Sequence, residues 1–154
     1  MGARTIGRKI LVTRSLPLAK THASGTPNTT FNPMLVRWST QEDFTKFAPT
    51  ALNTAGEQRL EVGTKIVALV NTREETIIST DEAIYGMTFV GDPFIFSFRL
   101  LGTGTSAIGL NSMIAIVGNT YWMGNRSFYI YDGVINEIPC PLKHFVFDRL
   151  QTSF

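Results

Sequence analysis

Two stretches of this chain follow the same plan of short strands and tight turns. Ile66-Val67-Ala68-Leu69-Val70 lies over Met113-Ile114-Ala115-Ile116-Val117 at an offset of 47 positions. The hairpin that follows is three residues shorter in the second copy, so the offset becomes 44. Ile77-Ile78 then lies over Tyr121-Trp122, Asp81-Glu82 over Asn125-Arg126, and Ala83-Ile84-Tyr85 over Ser127-Phe128-Tyr129. Identities are few; residue class and turn placement carry the match. The first set reads as strands over Arg59 to Val62, Lys65 to Val70, Thr76 to Thr80 and Ala83 to Val90; Gly91-Asp92-Pro93 stops it, and Phe94 to Arg99 follows as a half-buried strand. The second reads as Met113 to Val117, Tyr121 to Met123, Ser127 to Tyr131 and Val134 to Ile138. These segments are rich in β-branched and aromatic residues, which suit a pleated, half-buried surface. The second set turns at Gly118-Asn119, Gly124-Asn125 and Asp132-Gly133, the last a strong two-residue hairpin signal.

Four-stranded units recurring every 40 to 50 residues have the spacing of β-propeller blades. One blade cannot bury both of its faces and must stack on neighbours. The expected fold is therefore all-β: about two β-propeller-like antiparallel blades, an irregular N-terminal tail and a short C-terminal helix. An unrelated sandwich or barrel stays open as the alternative, because any all-β chain yields hairpins of similar length. Alternation predicts a core of Ile66, Ala68, Phe96, Phe98, Ile114, Ile116, Trp122, Phe128 and Ile130. Phe94, Phe96 and Phe98 share one face of their strand, with Ile95, Ser97 and Arg99 on the other. Two blades cannot close a propeller, which takes at least four. The chain is expected to be a fragment of a larger propeller, with strand edges and apolar blade faces left open.

Two regions follow from composition: an irregular basic tail over residues 1–30 and a β-rich blade region over residues 31–154. The tail holds Arg4, Arg8, Lys9, Arg14 and Lys20 without an acidic residue. The rest has nine basic residues against the chain's twelve acidic ones, so the folded part is mildly acidic. Pro17, Gly25 and Pro27 interrupt any helix that a targeting presequence would need. After the tail, Leu35 to Trp38 and Arg59 to Val62 read as strands, and Asn53 to Gly56 as a turn. Leu142, Phe145, Val146 and Leu150 have the spacing of a short amphipathic helix. Apolar runs such as Met113 to Val117 are far shorter than the roughly 20 residues that cross a bilayer, so no membrane span is expected.

Residues that could carry chemistry are sparse. Glu74-Glu75 and Asp81-Glu82 lie at turns, where exposed acids are usual. Ser79-Thr80-Asp81-Glu82-Ala83-Ile84-Tyr85 partly resembles the aspartate box of sialidase-type propellers, with Ala83 in place of the glycine; such a box braces a turn and cleaves nothing. Cys140 and His144, four apart, would share a helical face, but a structural zinc site wants four ligands and the only other histidine is His22. A lone cysteine forms no intrachain disulfide. Gly102-Thr103-Gly104-Thr105 lacks the Lys-Ser/Thr ending that holds a nucleotide phosphate. Tyr121, Trp122, Phe128, Tyr129 and Tyr131 could stack bases or sugars, yet only Arg126 accompanies them, and a nucleic-acid groove needs positive charge along its length. No catalytic, cofactor-binding or metal-binding residue is expected.

Tyr121-Trp122-Met123-Gly124, then Phe128-Tyr129-Ile130-Tyr131-Asp132-Gly133, then Pro139-Cys140 before Phe145-Val146-Phe147-Asp148 form a pattern. Val36-Arg37-Trp38-Ser39, Asn53-Thr54-Ala55-Gly56 and Thr80-Asp81 with Tyr85 precede it. Over about Asn32 to Leu150 the sequence resembles the tail nozzle or tail-tube proteins of short-tailed double-stranded DNA phages, also termed packaged-DNA stabilisation proteins. The resemblance implies a structural, non-enzymatic virion subunit made in the host cytoplasm. It implies a ring of copies of the chain that docks on adaptor or portal-proximal tail proteins and gates or guides DNA exit, with transient contact to phage DNA. Family members are several times longer, which also points to a partial chain. Two other readings stay open: a fragment of a carbohydrate-active or lectin-like β-propeller, and a cellular interaction module of propeller type.

Overall fold

A computed structural model describes residues 2–5, 8–12, 32–41, 43 and 45–150. The fold is all-β and antiparallel, with one short helix near the C-terminus. Among the described residues, three four-stranded sheets follow one another along the chain. The first holds β1 (Gly2–Thr5), β2 (Arg8–Val12), β3 (Leu35–Trp38) and β4 (Gly56–Arg59). The second holds β5 (Ile66–Asn71), β6 (Glu75–Thr80), β7 (Ala83–Gly91) and β8 (Ile95–Thr103). The third holds β9 (Met113–Ile116), β10 (Asn119–Met123), β11 (Phe128–Tyr131) and β12 (Ile135–Ile138), before helix α1 (Lys143–Phe147). Within each sheet every strand pairs with its neighbour in sequence. Between sheets, the most extensive backbone approaches bring first strands side by side, β1 beside β5 and β5 beside β9. Consecutive propeller blades are related in this way.

The second expected meander is the third sheet, and the strands expected over Lys65 to Val90 lie in the second sheet close to their predicted bounds; Gly91-Asp92-Pro93 does not end that sheet but turns it into β8, which runs on to Thr103 within the expected Gly102–Ser106 loop. The first sheet goes beyond the sequence reading. Within the tail expected to be irregular over residues 1–30, the backbone of 2–5 and 8–12 forms a hairpin that pairs onto β3. Residues 1, 6, 7 and 13–30 of that tail lie outside the described residues. The strand expected at Arg59 to Val62 is displaced to Gly56–Arg59. Its register explains why: Trp38 pairs with Gly56, and the indole occupies the space a Cβ there would need.

Two cores separate the three sheets. Between the first and second lie Met34, Val36, Trp38 and Leu60 against Ile78, Tyr85 and Met87. Trp38 meets Phe96 edge-on at 5.3 Å and Phe98 at 6.1 Å between ring centroids. Between the second and third lie Ala68, Ile77 and Ile84 against Ala107, Trp122 and Tyr131. Adjacent residues of a strand point to opposite faces, so fully buried Ile77 and Ile78 sit in different cores. The middle sheet is thus covered on both sides.

Of the residues expected in the core, Ile66, Ala68, Phe96 and Trp122 are buried, while Phe98, Phe128 and Ile130 are half-buried. Ile114 and Ile116 are 56% and 50% exposed, because they lie on the face of the third sheet turned away from the second. The alternation assigned to Phe94 through Arg99 also fails at its start. Ile95 adopts φ 58°, and Phe94 projects into solvent at the β7–β8 turn. Ile95 and Phe96 are then both buried.

The β9–β10 hairpin turns on Val117-Gly118, one residue before the predicted Gly118-Asn119, and Asn119 pairs with Ile116. Val117 has φ 50° and Gly118 φ 88°, the two left-handed positions of a type I′ turn, which favours Asn-Gly. A β-branched side chain resists that conformation, and Val117 is 94% exposed, so no packing offsets the strain. Val117→Asn is expected to raise stability by about 1 kcal/mol, measured as a higher urea midpoint. An unchanged or lower midpoint would show that Val117 is not strained.

Candidate functional site

The polar ground of the molecule lies at one end of the second and third sheets and begins with the turn Asp81-Glu82 between β6 and β7. Thr80 Oγ1 accepts from the Glu82 and Ala83 amides and donates to the Val62 carbonyl. Asp81 accepts from the Thr64 amide at 2.7 Å, the Lys65 amide at 3.3 Å and the Thr64 hydroxyl. Tyr85 Oη, in the next strand, accepts from the Val62 amide at 2.8 Å. The segment that partly resembles an aspartate box therefore braces its own turn and ties it to the β4–β5 loop. Burial pushes the Asp81 carboxyl up, but the Thr64 and Lys65 hydrogen bonds outweigh it and hold it below the usual carboxylate range.

A carboxyl whose folded value is lowered contributes stability above its unfolded pKa, lost as pH falls through the folded value. Asp81→Asn is expected to cost about 1 to 2 kcal/mol at pH 7. It is also expected to flatten the acid limb of the stability profile below about pH 4. Denaturant midpoints across that range test this, and identical acid limbs for the two proteins would sink it.

Beside the turn opens a cleft of about 430 Å³ lined by Val62, Asp81, Glu82, Thr103, Gly104, Ser106 and Asn125. The Gly102-Thr103-Gly104-Thr105 segment ends β8 here, and the Gly104 amide donates to the Glu82 carbonyl. Asp81 has committed its carboxylate to the β4–β5 loop, which leaves Glu82 as the exposed acid at the rim. Hydroxyls, an amide and a carboxylate can hydrogen-bond a small polar molecule. The lining includes no histidine, cysteine or lysine to act as base or nucleophile.

A second polar group lies between the second and third sheets. Glu75 opens β6, and its side chain is 14% exposed. It accepts from Tyr131 Oη at 2.9 Å, and Tyr131 Oη accepts from Arg99 Nη2 at 3.0 Å. The other Glu75 oxygen stands 3.8 Å from Arg99 Nη2. Glu75 is thus no exposed turn acid, as its neighbours in sequence had predicted, but an acceptor joining two sheets. Burial, then the Glu75 carboxylate, pushes the Tyr131 phenol up. No sequence signal could reveal this cluster, since its members stand 56 and 32 positions apart.

Cys140 lies before the first residue of α1, half-buried, with its carbonyl accepting from the Lys143 amide. His144 is within the helix, so the shared helical face predicted for the pair does not form. His22 lies outside the described residues. Among the described residues no three His, Cys, Asp or Glu side chains gather as metal ligands. The aromatic set is divided by the pleat: Trp122 and Tyr131 are buried against the second sheet with Tyr129 beside them, whereas Tyr121 and Phe128 alternate to the opposite face. They form no single stacking platform. Among the described residues no helix is long and apolar enough to cross a membrane. Comparison with protein-family models and with curated protein sequences finds no match.

Proposed function

We propose that the chain is a structural component of a phage tail, part of a ring-shaped nozzle or tube that docks below the portal or adaptor and gates or guides DNA exit. The observation that carries this reading is the succession of three four-stranded sheets, stacked in chain order with their first strands side by side. The repeating pattern over Tyr121 to Gly133 and its upstream counterparts supports it. The work is rigid assembly and not bond chemistry. Beyond the basic tail the chain leans acidic, and such a wall would let DNA slide, whereas a basic one would hold it through counterion release.

Immunogold electron microscopy with antibodies against this chain, applied to intact virions, tests the proposal. Label at the distal tail is expected; its absence from purified particles that otherwise contain tails would overturn it. The polar cleft beside Asp81 favours a second reading, a fragment of a lectin-like β-propeller. Saturable glycan binding lost on Glu82→Ala and Asn125→Ala would support that reading.

A further inference from the structure

Ser106 is 6% exposed and lines the cleft beside the β6–β7 turn. Its hydroxyl has no hydrogen-bond partner among the described residues. A buried hydroxyl is ordinarily paired, because leaving one unpaired is costly. Two other polar side chains of the lining are uncommitted as well. Glu82 and Asn125 are exposed, and neither makes a side-chain hydrogen bond or ion pair among the described residues. In the same lining Gly104 has φ 73° and open space where a Cβ would stand, so a ligand can come close to the backbone there.

The lining selects a ligand class by exclusion. Its charged members are Asp81 and Glu82, both acids. Lys65 and Arg126 adjoin lining residues in the chain but do not line the cleft, and hydrogen bonds from Thr64 and Lys65 hold Asp81 in its charged form. A phosphate, a sialic acid or a uronic acid would meet like charge at close range. Val62 is the one apolar side chain of the lining, which gives an apolar ligand little to bury against. At about 430 Å³ the cleft has the volume of a small-molecule site and far exceeds a bare ion. A linear alkylammonium would suit the charge, yet its methylenes would strand the hydroxyls of Thr103 and Ser106. A sugar ring brings hydroxyls to those groups. An amine on the ring adds a charge-assisted bond to the Glu82 carboxylate, roughly twice as strong as a bond from a hydroxyl.

We infer that the cleft takes a glycan carrying a free amine, with the ammonium set against Glu82 and Asp81 and ring hydroxyls on Ser106 and Asn125. The inference rests on the lectin-like reading and narrows it to a positively charged sugar.

Isothermal titration calorimetry of the whole chain tests it at about pH 6, where an amine of this kind is protonated. The probes are the trimers of glucosamine and of N-acetylglucosamine, which share a backbone and differ in the charge on nitrogen. The glucosamine trimer is expected to bind at least about tenfold more tightly. Glu82→Gln should remove most of that preference, and Ser106→Ala should weaken binding of the glucosamine trimer about fivefold. Glu74→Gln, which removes an exposed acid at the other end of β6, should change neither. Equal binding of the two trimers, lost on Glu82→Ala, would overturn the amine and leave a lectin-like site in place. Failure of both trimers to bind would overturn the inference, and the lectin-like reading falls with it only if a panel of neutral glycans also fails. Binding that survives both Glu82→Gln and Ser106→Ala, or that Glu74→Gln weakens equally, would show attraction to acidic surface at large and overturn the inference.

Discussion

Replacing Trp122 with alanine is expected to cost about 3 to 5 kcal/mol of folding stability. The indole is buried in β10, at the centre of the core between the second and third sheets. It stacks on Tyr129 with ring centroids 5.7 Å apart, and its Nε1 donates to the Thr105 carbonyl at 2.6 Å. The substitution therefore removes a large apolar volume, an aromatic contact and the bond that anchors the β8–β9 loop. A domain of this size has about 5 to 15 kcal/mol in total, so such a loss endangers the docking of the third sheet. The chain has two tryptophans, one in each core, which makes the effect separable. In Trp122→Ala the remaining Trp38 reports on the first core alone. Its fluorescence is expected to stay blue-shifted under conditions where near-ultraviolet circular dichroism shows loosened packing elsewhere. A loss below about 1 kcal/mol in urea denaturation would show that the second core does not depend on this residue.

Tyr131→Phe is expected to destabilise the chain by about 1.5 to 3 kcal/mol, the range for a hydrogen bond to a charged group. The phenol donates to Glu75 and accepts from Arg99. Without it the carboxylate stays between two sheets with only Arg99, 3.8 Å away, for a partner. The cost then comes from the stranded charge more than from the missing bond. Tyr131→Phe combined with Glu75→Leu should consequently be less destabilised than Tyr131→Phe alone. Additive costs in that double-mutant cycle would show that the two groups are not coupled. The phenol also sets a pH dependence at the alkaline end. Its folded pKa is raised by burial and by Glu75, so the unfolded chain releases its proton first. This contribution is complete below the ordinary tyrosine value of about 10 and disappears as pH rises through the folded value. Spectrophotometric titration of the native chain should find a phenol that ionises late, and Tyr131→Phe should remove it.

The second and third sheets could be read from residues alone because each hairpin is local. β-Branched and aromatic runs specify strands, Asp132-Gly133 specifies a turn, and the offsets of 47 and 44 positions set one sheet over the other. The first sheet could not be read in this way. Its strands Gly2–Thr5 and Arg8–Val12 lie in a stretch whose basic residues read as an irregular tail, although Ile10-Leu11-Val12 is an apolar, largely β-branched run; the pairing of β2 with β3 spans residues 13–34, and a contact over such a distance leaves no local trace. Alternation likewise divided each strand into two faces without saying which one a neighbour would cover. Ile114 and Trp122 are both large and apolar in adjacent strands, yet one faces solvent and the other the core. Burial of a blade face is set by the sheet stacked on it. Glu75 shows the same for a charge: at a turn beside Glu74 it read as a solvated acid, and only the arrival of Tyr131 and Arg99 from distant strands made it a buried acceptor. Local strand and turn chemistry was thus determined by the sequence itself, while the partner of each face and of each buried polar atom was decided by tertiary stacking, because those contacts join residues that no period along the chain relates.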